Sequence, residues 1–290
     1  MITAGLIGGM GNQMFQYAAG FALASRLGVG LRLDRSWFRG RPERWYSLDA
    51  FSISGRVATD EELRQAGIRY PGSLARGLAR IGFKRLGLTR GQVVEPDFPY
   101  WPGFRELPDG SCLAGYWQSE RYFEDVADAI RREFTVREAP DPENQRALEQ
   151  IRACESVALH VRRGDYATDP RVQQFHGMTT LEYYQAAVGR MLAHLSDPVF
   201  FLFSDDPHWV RQNLVVNAPT VHLDHNGPKR DYEDLRLMSA CRHHVIANSS
   251  FSWWGAWLAG RPGQRVIAPA RWFRNGPDTR DLIPTRWERI

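Results

Sequence analysis

Apolar and polar positions along this chain fall into short blocks whose spacing switches between two periods. Residues 2–7 form a continuous apolar run of strand length, and residues 12–27 repeat their apolar positions at helical spacing, with Met14, Phe15, Ala18, Ala22 and Leu23 on one face. Gly8-Gly9-Met10-Gly11 joins the two, Gly28 is placed as a C-cap, and 29–34 reads as the next strand. The pattern predicts a βαβ unit that opens on a glycine loop. Residues 40–110 are rich in Gly, Pro and Arg and carry few long periodic runs. One segment there, 73–87, would as a helix set Leu74, Leu78 and Ile81 on one side and Arg76, Arg80 and Lys84 on another. Such a basic amphipathic helix can lie on an anionic bilayer, or it can be a surface helix with a solvated stripe; Gly77 and Gly82 weaken it either way.

Residues 111–117 predict a strand and 119–134 an amphipathic helix. The charged, Pro-containing stretch 135–143 reads as a linker, which gives an N-terminal domain over 1–140 and a C-terminal one over 141–290. From there the pattern is regular: helices over 144–153, 180–195, 207–214, 231–241 and 251–259 alternate with apolar strands at 156–161, 199–204, 220–224, 243–248 and 265–269. Strands separated by helices pair in parallel, and strands that are apolar throughout lie in a sheet covered on both faces. The second half is thus predicted to be a Rossmann-like α/β domain, whose ligands bind beyond the carboxyl ends of the strands.

The residues that follow each strand of that half should share one rim. After 156–161 come Arg162, Arg163, Gly164 and Asp165; after the next strand, Ser204, Asp205 and Asp206; then Asp224, His225 and Asn226; then Asn248, Ser249, Ser250, Phe251 and Ser252. Two adjacent arginines at a strand end need partners, either protein carboxylates or a phosphate. Ser249 and Ser250 open a helix, whose free amides can simply be capped or can hold an anion. Helix amides and a bidentate guanidinium together suit a diphosphate. Asp205 and Asp206 can cap the following helix or form a thin metal site; His160, inside its strand, reads first as a core histidine. At least two of Trp253, Trp254 and Trp257 read as core. The loop before Asn12 and Gln13 lets a ligand approach the backbone, although it is neither a GxGxxG fingerprint nor a P-loop.

Composition narrows these readings only a little. The chain has 290 residues, 43% hydrophobic and 24% charged, with a formal net charge of +4. Lys84 and Lys229 are the only lysines, so the basicity is arginine; it reflects either an arginine-rich genome or a surface that meets anions. Charge alone does not argue for a nucleic-acid binder. Cys112, Cys154 and Cys241 form no CxxC pair, so neither a disulfide framework nor a zinc site is predicted. No run has the length and apolarity of a membrane span or the layout of a signal peptide, and the expectation is a cytoplasmic protein open to peripheral contact with the inner membrane through 73–87.

Taken in order, GGMGNQMFQYA, HVRRGDY, FSDDPHW and ANSSFSWWGAWL resemble the bacterial and animal α-1,2-fucosyltransferases. The HxRRxD element is shared more loosely with α-1,6- and protein O-fucosyltransferases. The resemblance implies an α/β, GT-B-like fold of two Rossmann-type domains with parallel sheets facing a cleft. The N-terminal domain would be mainly acceptor-side and the C-terminal one would bind GDP-fucose. It further implies inverting transfer of L-fucose from GDP-β-L-fucose to O2 of a terminal galactose, with no metal and no cofactor. The acceptor would be a galactose-terminated oligosaccharide or a lipid-linked glycan. In this reading Arg162 grips the departing β-phosphate and Asp165 orients an arginine. Arg163, Ser249, Ser250 and Phe251 contact the donor, Asn12 reaches it from the glycine loop, and His160, Asp231 and Asp234 serve the guanosine side. A fucosyltransferase of another linkage, or a non-catalytic nucleotide- or glycan-binding module, remains open. Inversion also calls for a proton acceptor, and Asp165, Asp205 and Glu182 are the candidates alongside loss to water.

Overall fold

A computed structural model of the chain describes residues 1–41, 44–67, 91–164 and 169–290. The proposed basic helix at 73–87 and Asp165 lie outside the described residues. The chain divides into two compact units, Met1–Thr135 and Val136–Ile290.

The first unit is built on a parallel sheet of β1 (Ile2–Gly5), β2 (Leu31–Asp34), β3 (Arg56–Val57), β4 (Gln92–Val94) and β5 (Cys112–Ala114), in the order β3-β2-β1-β5-β4. Helix α1 (Met10–Leu27) connects β1 to β2. It starts where expected because Gly8 takes φ +78°, a conformation L side chains rarely adopt, and it stops at Gly28 in the left-handed region. Gly20 lets α1 sit tight on the sheet: a Cβ there would stand 2.9 Å from Leu31 and 3.0 Å from Ala4. The short helix α2 (Asp60–Gln65) owes its start to a capping box in which Thr59 and Glu62 bond each other's backbone. Residues 119–134, expected as one helix, are two 3-10 turns followed by α3 (Ala127–Glu133). Tyr122 and Phe123 are adjacent and both buried, Tyr122 against Phe104 and Trp117 and Phe123 against Phe15. Burying consecutive large rings against different partners favours tight turns over a single amphipathic face.

The second unit carries β6 (Glu155–Val161), β7 (Pro198–Ser204), β8 (Thr220–His222), β9 (His243–Val245), β10 (Val266–Ala268) and β11 (Glu288–Arg289), all parallel, in the order β11-β10-β9-β6-β7-β8. The helices are α4 (Pro142–Arg152), α5 (Pro170–His176), α6 (Leu181–His194), α7 (Pro207–Asn213), α8 (Asp231–Ala240) and α9 (Ser250–Ala259). Six consecutive residues of β6 are buried, as expected for a sheet covered on both faces. The core joins Val157, Leu159, Phe200, Leu202, Val245 and Ile267 of the strands to Tyr184, Val188 and Met191 of α6. Trp253, Trp254 and Trp257 are all buried. Gly255 brings α9 close to Met238 of α8. The α/β, GT-B-like class, with two Rossmann-type units on parallel sheets, is thus observed. Among the described residues no helix is long and apolar enough to cross a membrane.

Candidate active site

The carboxyl ends of β6, β7 and β9 gather most of the expected residues. Strand β6 lies between β7 and β9, with Leu159 opposite Leu202 on one side and Val245 on the other. The residues that leave these three strands therefore emerge side by side.

Both arginines have carboxylate partners from the neighbouring strand. Arg162 Nη1 is 2.7 Å from Asp205 Oδ2, and the Arg163 backbone N–H donates to Asp205 Oδ1 at 2.8 Å. The Arg163 Nε donates to Asp206 Oδ2 at 3.2 Å while its guanidinium stacks over Trp209 at 3.9 Å. Asp206 Oδ1 accepts the Trp209 N–H and so caps α7, as the capping reading of that pair expects. Ser204 Oγ donates to the Val161 carbonyl at 2.8 Å and locks the ends of β6 and β7 together. Gly164 is required here, because a Cβ would collide with the Asp205 carboxylate. Arg162 keeps about a quarter of its side chain in solvent (27%), and Arg163 a fifth (20%), so both pairs sit at the surface of the rim.

On the other side of β6, α9 begins without a side-chain cap and without an acidic residue in its first turn. Ser249 is buried at this N-cap and Ser250 and Phe251 form the first turn. The His160 ring meets Phe251 at 5.7 Å. His160 is 5% exposed, and its Nδ1 is buried without a hydrogen-bond partner among the described residues. Burial, reinforced by the Arg162 charge, lowers its pKa to about 3, so the ring is neutral. A neutral imidazole with an unmet buried nitrogen is a costly core choice.

A hydrogen-bond chain ties Arg162 to the start of α9. The Arg162 backbone bonds the Tyr184 hydroxyl, which donates to Thr179 Oγ1 at 3.1 Å. Thr179 in turn donates to Asn248 Oδ1 at 3.3 Å, next to the Ser249 cap. The Asn248 amide donates to the carbonyls of His176, Gly177 and Trp272. Tyr184 and Thr179 escaped sequence reasoning. Tyr184 is a buried residue of α6, and only the tertiary structure brings its hydroxyl to Thr179.

The remaining candidates stand on other elements. Asp231 and Asp234 stand in the first turn of α8. Burial raises their pKa values to about 6 and about 7. Asp234 accepts from Asn226, which also bonds Asn144 at the start of α4. Asn12 is in the first unit, in the first turn of α1, where its Oδ1 accepts from Gln118 Nε2 at 2.8 Å. Among the described residues no group of three or more His, Cys, Asp or Glu could hold a metal ion.

Comparison with known proteins places this arrangement. Residues 108–277 match Glycosyl transferase family 11. An Alpha-1,2-colitosyltransferase of Escherichia coli is 32% identical over all of this chain and 99% of its own length. The O-antigen biosynthesis glycosyltransferase WbnK of Escherichia coli is 31% identical, with 92% of this chain and 93% of that protein aligned. Human Galactoside alpha-(1,2)-fucosyltransferase 1 is 29% identical over 51% of this chain and 43% of its own. Among solved structures, an Arabidopsis thaliana FUT1 mutant in complex with GDP superposes with a TM-score of 0.52 at 12% identity, covering 98% of this chain and 74% of that one; this likeness concerns the fold. On the family match and the full-length relatives, the chain belongs to glycosyl transferase family 11.

Proposed function

We propose that this glycosyltransferase moves L-fucose from GDP-β-L-fucose, with inversion and without a metal, to O2 of a terminal galactose in an oligosaccharide or lipid-linked glycan. The observation that carries the reading is the hydrogen-bonded link between Arg162 and the uncapped start of α9. It ties the backbone at residue 162 to the start of α9 at the ends of adjacent strands, while Asp205 holds the Arg162 guanidinium at the same rim. Cleavage of the sugar C1–O bond leaves an oxocarbenium-like sugar and a diphosphate that gains negative charge. Groups fixed where that charge grows stabilise the transition state more than the ground state. Arg162 is paired with Asp205 in the protein alone, so the diphosphate must compete for or share its guanidinium. Ser249, Ser250 and Phe251 contact the diphosphate or the fucose, His160 offers its unmet nitrogen, and Asp231 and Asp234 remain candidates for the guanosine side. Asp165 orients an arginine, Asn12 serves the donor from the glycine loop, and the first unit selects the acceptor.

A second reading has its own support. The relative aligned over the whole chain is named a colitosyltransferase, and colitose is the 3-deoxy counterpart of fucose. A donor screen with GDP-fucose, GDP-colitose and other nucleotide sugars against lactose, in excess EDTA, separates the readings. Transfer from GDP-fucose to give an α-1,2 product supports the proposal. Exclusive use of GDP-colitose replaces the donor, another linkage replaces the acceptor position, and strict dependence on added metal overturns the metal-free step.

A further inference from the structure

Most aromatic rings of the second unit are packed away from water, and one group is not. Of the six large apolar side chains exposed among the described residues, Phe175 alone packs against other rings. It lies in the last turn of α5 and is 42% exposed. Its ring stands 5.1 Å from that of Phe273 and 4.9 Å from that of His176, and His176 closes the triangle at 5.4 Å from Phe273. Phe273 and His176 are half-buried. Single apolar residues scattered over a surface are ordinary, but three rings gathered and held open to solvent call for a physical reason.

The backbone beneath the rings is fixed by three segments. The Phe175 carbonyl accepts from the Arg274 N–H at 3.0 Å and from the Asn275 N–H at 3.1 Å, and the Gln174 carbonyl accepts from Asn275 Nδ2 at 3.0 Å. The stretch that follows β10 thus satisfies the free carbonyls at the end of α5. Gly177 lets the two stretches meet, since a Cβ there would stand 3.1 Å from the Arg274 Cβ. The third segment is the one before α9. The buried Asn248 amide donates to the His176 carbonyl and to the Trp272 carbonyl, both at 3.1 Å. Trp272 directly precedes Phe273, and Asn248 directly precedes the Ser249 cap. One side chain therefore joins both halves of the ring cluster to the start of the helix that faces the diphosphate in the reading above.

A sugar linked to that diphosphate extends from the start of α9, and the ring cluster is an apolar surface tied to that point. L-Fucose carries a methyl group on C5 where most hexoses carry a hydroxymethyl, which makes one edge of the sugar apolar; colitose keeps the same methyl. We propose that Phe175, backed by Phe273 and His176, is the contact for the C5 methyl group of the donor sugar and selects a 6-deoxyhexose, an inference that rests on the diphosphate reading of the α9 start. A hydroxyl on C6 would be pressed against ring faces, losing water without gaining an equivalent partner. Arg274 and Asn275, exposed at the edge of the cluster, carry N–H donors suited to the hydroxyls of the same sugar. Three rings, two of them half-buried, fall far short of the roughly 800 Å² a side that a stable protein contact needs, whereas one monosaccharide matches them.

The test is calorimetric binding, without acceptor, of GDP, GDP-fucose and GDP-L-galactose, which differs from GDP-fucose only by a hydroxyl on C6. Wild type, Phe175→Ser and Phe175→Leu are compared. Wild type should prefer GDP-fucose by about 10–100-fold. Phe175→Ser should narrow the preference to within about 3-fold, Phe175→Leu should keep most of it, and GDP itself should bind all three proteins alike. Should Phe175→Ser not fold, Phe273→Ser is expected to narrow the preference in the same way. If the protein takes only GDP-colitose, the comparison runs between that donor and its C6-hydroxy counterpart. Equal affinity of wild type for the two sugars, or an unchanged preference in the folded serine variants, overturns the proposal. A cluster that merely braces α5 weakens both donors together and leaves the preference unchanged, which is the same refutation. A Phe175→Ser protein with an unchanged donor preference but a raised KM for lactose would make the cluster an acceptor surface instead. Wild type that binds no GDP sinks the diphosphate reading, an outcome distinct from wild type that binds GDP and both sugars equally.

Discussion

The two sheets end in rims of opposite electrostatic habit. At the end of β7 the carboxylates Asp205 and Asp206 are matched to Arg162 and Arg163, and charge is balanced pair by pair. At the end of β4 the carboxylate of Glu95 accepts, among the described residues, from two backbone amides and lies near Asp97. A guanidinium held by a partially exposed partner can exchange it for a phosphate at modest cost, because surface ion pairs contribute little net stability. A carboxylate without a cation instead rises in pKa and becomes a proton acceptor. One kind of rim suits binding an anion that leaves; the other shows a carboxylate that burial, without a cation beside it, brings toward neutrality.

Removing Arg162 should break this contrast most severely. Arg162→Ala is expected to lower transfer by about 10²–10³-fold while thermal unfolding stays close to wild type. Rate and melting measured on the same preparation check it, and near-normal transfer would take Arg162 out of the mechanism. The opposite rim responds next: Gly115→Ala forces a methyl group into Glu95 and should cost about 1–3 kcal/mol of stability, read by denaturant unfolding. Tyr184→Phe deletes the hydroxyl between Arg162 and Thr179. About 1 kcal/mol of stability and a several-fold loss of donor affinity are expected, the size of one buried hydrogen bond. The smallest effect depends on pH. Asp234 is raised to about 7 in the fold by burial, so its contribution to stability is complete below about pH 4, where the unfolded residue is also protonated, and is lost as pH rises toward 7. Asp234→Asn should therefore gain on wild type between those values and level off above them, by about 1 kcal/mol for a partly exposed group. Melting curves across that range test the sign.

Much of the second unit was legible because its elements are defined by local pattern. Strands 156–161 and 199–204 are long and apolar, their partner helices are periodic, and the parallel arrangement follows from the alternation. That logic correctly placed Arg162, Asp205 and Ser249 at adjacent strand ends. It could not say that the arginines would pair with the aspartates, since Arg162 and Asp205 are 43 positions apart and either an aspartate or a phosphate satisfies a guanidinium. The first unit was harder to read. Strands β3 and β4 have two and three residues, too few to show a period, and β4 sits in a stretch rich in Gly and Pro. The setting of Glu95 was illegible for that reason: it is created by β5 and the residues after it, not by sequence neighbours. Residues 119–134 show a helical period, yet the ring contacts of Tyr122 and Phe123 override it. Helix α5 was also missed, a seven-residue element set by the Asp169 cap and Pro170.

The central claim is that Arg162 and the start of α9 hold the outer phosphate of a leaving diphosphate. Calorimetric titration of wild type and Arg162→Ala with GDP and with GMP, in EDTA, addresses it most directly. Wild type should prefer GDP by about 10–100-fold, the worth of one charge-assisted contact, and Arg162→Ala should lose most of that preference while binding GMP as before. Equal affinity of wild type for GDP and GMP, or an unchanged preference in Arg162→Ala, would contradict the assignment.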